Sequence, residues 1–457
     1  MRRVLLMSIS MAMAIAINAL PVLQAQTIGV SCPEFFQDRH QAVTCAEALF
    51  SQSWYHFTLA SLPPSNGFGP GLALTKSIKG VSGGSDYEAD LSLTGGVTTN
   101  GSWSVGGDLL WLPPLPYKND SSVAGGVRLG GLKTLSRASL EISAGRRDVN
   151  TLYFYGFGPA SPNTRYMFAE NDTTADVVAK MPLTRWLIAK GGFGARSTTL
   201  PLNSGANSVD SNFMPATPGI LVQPTYVNGS AGADTLFTPR FGRPLQRLDQ
   251  QDDPHFQSLL LFTLQNNFAY HWQKPTDGSQ YAYGQFTYEG DETIAIHQIL
   301  RNFFPPNRHP VVRYVCESNK QTDECDFGQI DVKTHLVLTQ TSGANQMPFY
   351  LQPTLGGTDV DSQVSLRGWD NYRFRGRDLA LVQFEYGIPV YDPVGLLMFY
   401  DAGTVGNVAA DLTVSHFRQD AGIGATVRLR GHVLAQTFFA WGAGHGAQWN
   451  YNFAKSF

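Results

Sequence analysis

The sequence predicts an all-β antiparallel transmembrane barrel, and three observations carry that prediction. Short stretches with a two-residue apolar period fill most of the chain, separated by clusters of Gly, Asn, Asp and Pro. Beyond the N-terminal segment no run approaches the roughly 20 apolar residues that a spanning helix needs. The chain also ends on an alternating, aromatic strand. Composition agrees: with 46 glycines and only 15% charged residues, tracts of helix-favouring Ala, Leu, Glu and Lys are scarce. A barrel wall needs one apolar face per strand, so a mean hydropathy of −0.14 is compatible with a membrane protein. A formal net charge of −3 gives no reason to expect nucleic acid as a partner.

Residues 1–25 read as a signal peptide. Arg2 and Arg3 precede an apolar stretch over 4–20, broken only by Ser8, Ser10 and Asn18. Leu23-Gln24-Ala25 supplies a cleavage site, which puts the mature start near Gln26. A membrane anchor is the weaker reading, because the stretch is short and stops at Pro21. Residues 26–64 form a short periplasmic lead-in with one helical stretch over 42–50, and the barrel occupies 65–457. The four cysteines fall into two local pairs, Cys32 with Cys45 and Cys316 with Cys325. Close spacing and even number suit two disulfides in an oxidising compartment. Neither pair has CxxC spacing and no His pair lies near, so neither a metal nor any other cofactor is expected.

Strands are predicted over 67–79, 87–99 and 102–112, then within 125–144, and over 175–181, 186–196, 257–272 and 280–289. The segment 197–254, rich in Ser, Asn, Pro and Gly, is too long for a hairpin turn and reads as large outer loops. The last third alternates more sharply. Over 379–390, Ala380, Val382, Phe384, Tyr386, Ile388 and Val390 share one face; Gln383, Glu385 and Gly387 share the other. After the turn Tyr391-Asp392-Pro393, Leu396, Met398, Tyr400 and Ala402 oppose Phe399, Asp401 and Gly403. Strands over 421–430 and 433–441 follow. In the last, 448–457, Trp449, Tyr451, Phe453 and Phe457 line one face as an assembly signal, with Gln448, Asn450, Asn452 and Ser456 opposite. Lys455 interrupts the apolar face where a long side chain can reach water.

Leu355-Gly356-Gly357, Ser365-Leu366-Arg367-Gly368-Trp369 and Phe374-Arg375-Gly376 resemble the sixth-loop motif of the BamA/TamA superfamily of outer-membrane barrels. Phe399-Tyr400-Asp401-Ala402-Gly403 resembles that family's Phe-x-Asp-x-Gly strand, and Phe384-Glu385-Tyr386 with Pro389 the strand between. Phe154-Tyr155-Gly156-Phe157-Gly158 is similar to a further segment of such barrels. The resemblance, of the bacterial surface antigen type, implies a 16-stranded barrel whose long extracellular loop folds into the lumen. Five strands should follow that loop, as the alternation also counts. It further implies that Arg367 meets the inward-facing carboxylate of Asp401, near Glu385, with Gly368 allowing a sharp turn at the tip. Family members usually carry periplasmic POTRA modules. The stretch 26–64 is too short for one, so the expectation is a stand-alone barrel.

Gly80-Val81-Ser82-Gly83-Gly84 matches a nucleophile-elbow string, but it falls in a hairpin connection rather than a strand-to-helix turn, so no enzyme is expected. Three functions fit. The first is translocation or membrane insertion of proteins or lipids, through strand addition at an opened seam. The second is a diffusion pore with the loop as constriction, and the third a surface or adhesive barrel. The partners implied are outer-membrane lipid, the assembly machinery during biogenesis, and a client or periplasmic protein of unknown identity.

Overall fold

The computed structural model describes residues 55–60, 62–82, 85–113, 138–184, 186–202, 205–237, 262–296, 328–361, 363–391, 394–429, 432–442 and 446–453. The signal peptide, the helical stretch 42–50, all four cysteines, Lys455 and Phe457 lie outside them.

Among the described residues, eleven wall strands precede the long loop. They are β1 (Tyr55–Ala60), β2 (Gly69–Ser82), β3 (Ser85–Val97), β4 (Trp103–Leu112), β5 (Ser139–Phe154) and β6 (Tyr166–Thr184), then β7 (Leu187–Thr199), β8 (Thr225–Phe237), β9 (Phe262–Pro275), β10 (Tyr283–Ala295) and β11 (Gln329–Thr341). The loop carries its own two-residue strands, β12 (Thr354–Leu355) and β13 (Phe374–Arg375). Five wall strands follow: β14 (Asp378–Tyr391), β15 (Val394–Gly406), β16 (Arg418–Leu429), β17 (His432–Gly442) and β18 (Gly446–Phe453). The wall is one antiparallel sheet of sixteen strands among the described residues, each paired with its neighbours in chain order.

Alternation sets which face each side chain takes. In β15 Leu396, Met398 and Tyr400 are 47%, 48% and 40% exposed, whereas Leu397, Phe399 and Asp401 are 5%, 6% and 0% exposed. The outward face is apolar and the inward face mixed, as a lipid-facing wall around a polar interior requires. The inward set packs on the loop and its two-stranded ladder. Leu355, Leu366, Trp369 and Phe374 of the loop share a core with Val337, Leu379, Leu381 and Val405 of the wall. Phe349, Tyr350 and Tyr372 do the same with Val149, Leu152, Phe154 and Phe168.

The loop also shows that the sheet curls. Tyr372 Oη donates to Pro64 O just beyond β1, at 3.3 Å, while Asp370 accepts from Gln448 Nε2 of β18 at 3.1 Å. One compact segment therefore touches both ends of the sheet order, and the wall wraps around it. Among the described residues no ladder joins β1 to β18.

Three sequence expectations need correction. A strand, β1, lies inside the stretch read as lead-in, in register with 69–74 of β2. At six residues it is too short for alternation to stand out. The presumed outer-loop region contains β8 and a short helix, α1 (Val209–Phe213). Between the outward Val227 and Phe237 of β8, the middle outward positions are the small Gly229, Ala231 and Ala233, which interrupt the apolar alternation. The Trp272 ring of β9 lies where a side chain on Gly229 would sit and covers that face. Finally, β6 starts nine residues ahead of the stretch read from 175, because its first half carries lumen-facing acids. Ser82 of the elbow-like string ends β2, which pairs directly with β3.

Candidate functional site: the lumen loop and its anchors

The loop leaves β11, runs inward, and returns through its own ladder, in which Thr354 pairs with Arg375 and Leu355 with Phe374. At its tip stand Arg367, Gly368 and Trp369, all buried. Arg367 is 1% exposed. Its Nε donates to Asp401 Oδ2 at 2.8 Å and its Nη2 to Asp401 Oδ1 at 2.6 Å, a two-pronged pair. Nη1 donates to Glu385 Oε1 at 2.5 Å. The backbone N–H of Arg367 also reaches Asp401 Oδ2, at 3.3 Å. The guanidinium lies 3.7 Å from the centre of the Phe399 ring. Burial alone would lower the pKa of Arg367, but Asp401 and Glu385 raise it above the ordinary arginine value, so the charge is retained.

Strand period two explains why the wall can present this set. Glu385 of β14 pairs directly with Phe399 of β15, and Gln383 with Asp401, so four inward positions form one patch. Gln383 Nε2 donates to Asp401 Oδ1 at 3.2 Å and to Ser365 O at 3.3 Å. Lys333 Nζ supports Glu385 from β11 at 3.1 Å. Gly403 completes the strand pattern: a side chain there would meet Ala380 O at 2.9 Å and Leu355 Cδ1 at 3.1 Å. Its bareness lets the loop's stalk lie against the wall.

Gly368 stands in the expected tight turn, closed by Trp369 N–H to Leu366 O at 3.1 Å, and it acts in the same way as Gly403. A Cβ on it would lie 2.5 Å from the Gly442 nitrogen and 2.7 Å from Asp420 Cβ. Close approach to β16 and β17 requires the glycine. Trp369 Nε1 donates to Gln419 O at 3.4 Å, and its ring meets Phe374 edge-on at 5.1 Å. Asn450 of β18 donates to the Arg367 carbonyl at 3.1 Å. On the outer face of β18, Trp449 is 68% exposed and stacks on Phe439. Tyr451 and Phe453 continue the strand in register with Thr437 and Ala435.

A second anchor, absent from the sequence reading, holds the other side of the loop. Arg147 of β5 donates from Nη1 to Asp361 Oδ1 at 3.0 Å and to Val360 O at 3.3 Å. Its Nη2 lies 3.3 Å from Asp172 and 3.5 Å from Glu170, both on β6 and both buried. Arg196 of β7 reaches Asp172 at 2.9 Å and Glu170 at 3.8 Å. No contiguous motif encodes this cluster. Its one sequence signal is Glu170 and Asp172 two apart, hence on one strand face. Further up, Arg375 lies among Phe154, Phe168 and Phe349, donating to Phe349 O at 2.7 Å. Burial pushes its pKa down to about 10.

Fold and site together define an antiparallel wall filled by one of its own connections, with a buried arginine at the tip of that plug. The chain is similar in fold to BamA from Haemophilus ducreyi lacking POTRA domains 1–3, at 15% identity and TM-score 0.47, over 90% of this chain and 77% of that one. It is likewise similar to CdiB from Acinetobacter baumannii, at 10% identity and TM-score 0.47, over 87% of this chain. CdiB from Escherichia coli gives 10% identity, TM-score 0.45 and 87% of this chain. The match spans 58% and 61% of the two CdiB chains. No family model and no curated protein matches the sequence.

Proposed function

We propose that this chain is an outer-membrane barrel that translocates proteins or lipids, or inserts them into the membrane, with its lumen plug held by the Arg367–Asp401 pair. The observation that carries the reading is the buried arginine clamped by two wall carboxylates. A buried ion pair adds little net stability, yet breaking one side is costly. Such a pair suits fixing a segment in one place. The apolar outer face of β15 and its neighbours supports a membrane setting, and lipid is the first partner. The client, and any periplasmic protein that delivers it, would be found by the same experiment. Outer-membrane and secreted proteomes are compared with and without this protein, complemented by wild type or by Arg367→Ala. Loss of a defined set of proteins, not restored by the variant, is the expected result. Full restoration by a folded Arg367→Ala protein would sink the reading.

A diffusion pore is the second reading, and one observation favours it. A cavity of about 490 Å³ lies beside the plug, lined by polar groups including Asn267, Glu289, Lys333, His335 and Gln383. Unchanged proteomes with a steady unit conductance in planar bilayers would select this alternative.

A further inference from the structure

The connection between β5 and β6 carries the Phe154-Tyr155-Gly156-Phe157-Gly158 stretch, to which neither reading above gives a role. It does not point away from the molecule. Phe154 is buried in the core shared with the plug. From there the chain crosses over the plug's return arm. The Gly158 N–H donates to Arg375 O at 2.7 Å. Arg373 grips the far end of the crossing, with Nη1 to Ser161 Oγ at 2.7 Å and Nη2 to Ser161 O at 2.8 Å. The same guanidinium lies 5.1 Å from the Tyr155 ring.

One side chain then ties this crossing to the opposite part of the wall. Arg418, the first residue of β16, donates from Nε and Nη2 to Pro159 O at 3.1 and 2.8 Å. In the sheet order β16 is separated from β6 by seven other strands, so the contact spans the mouth. Arg418 also rests near the rings of Trp369 and Phe374, at 6.0 and 5.7 Å. Its neighbour Gln419 takes the Trp369 indole N–H. The first two residues of β16 thus touch the plug tip on one side and the crossing on the other.

We infer that the 155–161 segment is a strap closing the mouth over the plug, and that Arg418 both fastens it and couples it to the Trp369 tip. A carbonyl receiving two bonds from one guanidinium is a strong tie, because each bond is charge-assisted. It is also a releasable one, since the Pro159 carbonyl is not part of any wall ladder. A shift of Trp369 would move the surface on which Arg418 lies and loosen its hold on the strap.

Hydrogen exchange read by mass spectrometry on the full chain in detergent micelles tests this without reference to function. Arg418→Ala should speed exchange in peptides covering 155–161 on the order of tenfold, with the β9–β10 wall peptides unchanged. Arg418→Lys keeps one donor nitrogen in place of two and should fall between. Trp369→Leu, which leaves the strap's own contacts in place, should also speed exchange there. Unchanged strap exchange in Arg418→Ala, or equal acceleration over strap and wall in both Arg418 variants, would overturn the inference. An unmoved strap in Trp369→Leu would overturn the coupling.

Discussion

The plug is held at two walls by ion-pair clusters of similar residues, to which it contributes opposite charges. At β14 and β15 the plug supplies the cation, Arg367, and the wall supplies two acids, with Lys333 behind one of them. At β5 to β7 the wall already carries Arg147, Arg196, Glu170 and Asp172, and the plug adds a third carboxylate, Asp361. Exposure differs as sharply: Arg367 and Asp401 side chains are 2% and 0% exposed, whereas Asp361 is 72% exposed. Taking the plug's residue from the first anchor strips Asp401 of its counter-charge. Taking it from the second leaves two cations facing two anions. The same chemistry is therefore obligatory on one side and dispensable on the other.

Three substitutions can break or sharpen that contrast, each followed by tryptophan fluorescence during urea unfolding in micelles. Arg367→Ala should cost the most, about 3–5 kcal/mol, because it leaves Asp401 buried without its partner. A loss below about 1 kcal/mol would mean that the two anchors are equivalent. Arg147→Ala should cost about 2 kcal/mol, since Glu170 and Asp172 would keep Arg196 but lose half of their compensation. Asp361→Ala should change stability by less than about 1 kcal/mol, with any effect shrinking as salt is raised. A larger effect, insensitive to salt, would show the exposed carboxylate to be structural.

What the sequence revealed follows the same division. Phe399, Asp401 and Gly403 alternate on one strand with apolar residues between them, so period and motif point to the same inward face. Glu385 could be placed by the same count. The second anchor is built from three strands whose register brings Arg147 opposite Asp172 and Arg196 opposite Thr174. No local pattern encodes such cross-strand matches, and the lumen acids of β6 concealed the start of that strand. Gly368 was legible as a turn residue, but the second demand on it, close approach to the β17 backbone, comes from far away in the chain. Similarly, β8 hides because its middle outward positions are small, and a tryptophan of the next strand covers one of them.

The plug's own ladder, β12 with β13, forms a sheet apart from the sixteen-stranded wall. Wall ladders join consecutive strands, each closing a short stretch of chain at low entropic cost. The plug's contacts with the early strands close far larger ones: 214 residues separate Arg147 from Asp361 and 308 separate Pro64 from Tyr372, against 34 between Arg367 and Asp401. High sequence separation makes these the slow contacts of folding. The wall can zip up hairpin by hairpin and receive its filling afterwards. Read in reverse, no rung of a wall ladder contains a plug residue, so losing the filling would break none of them.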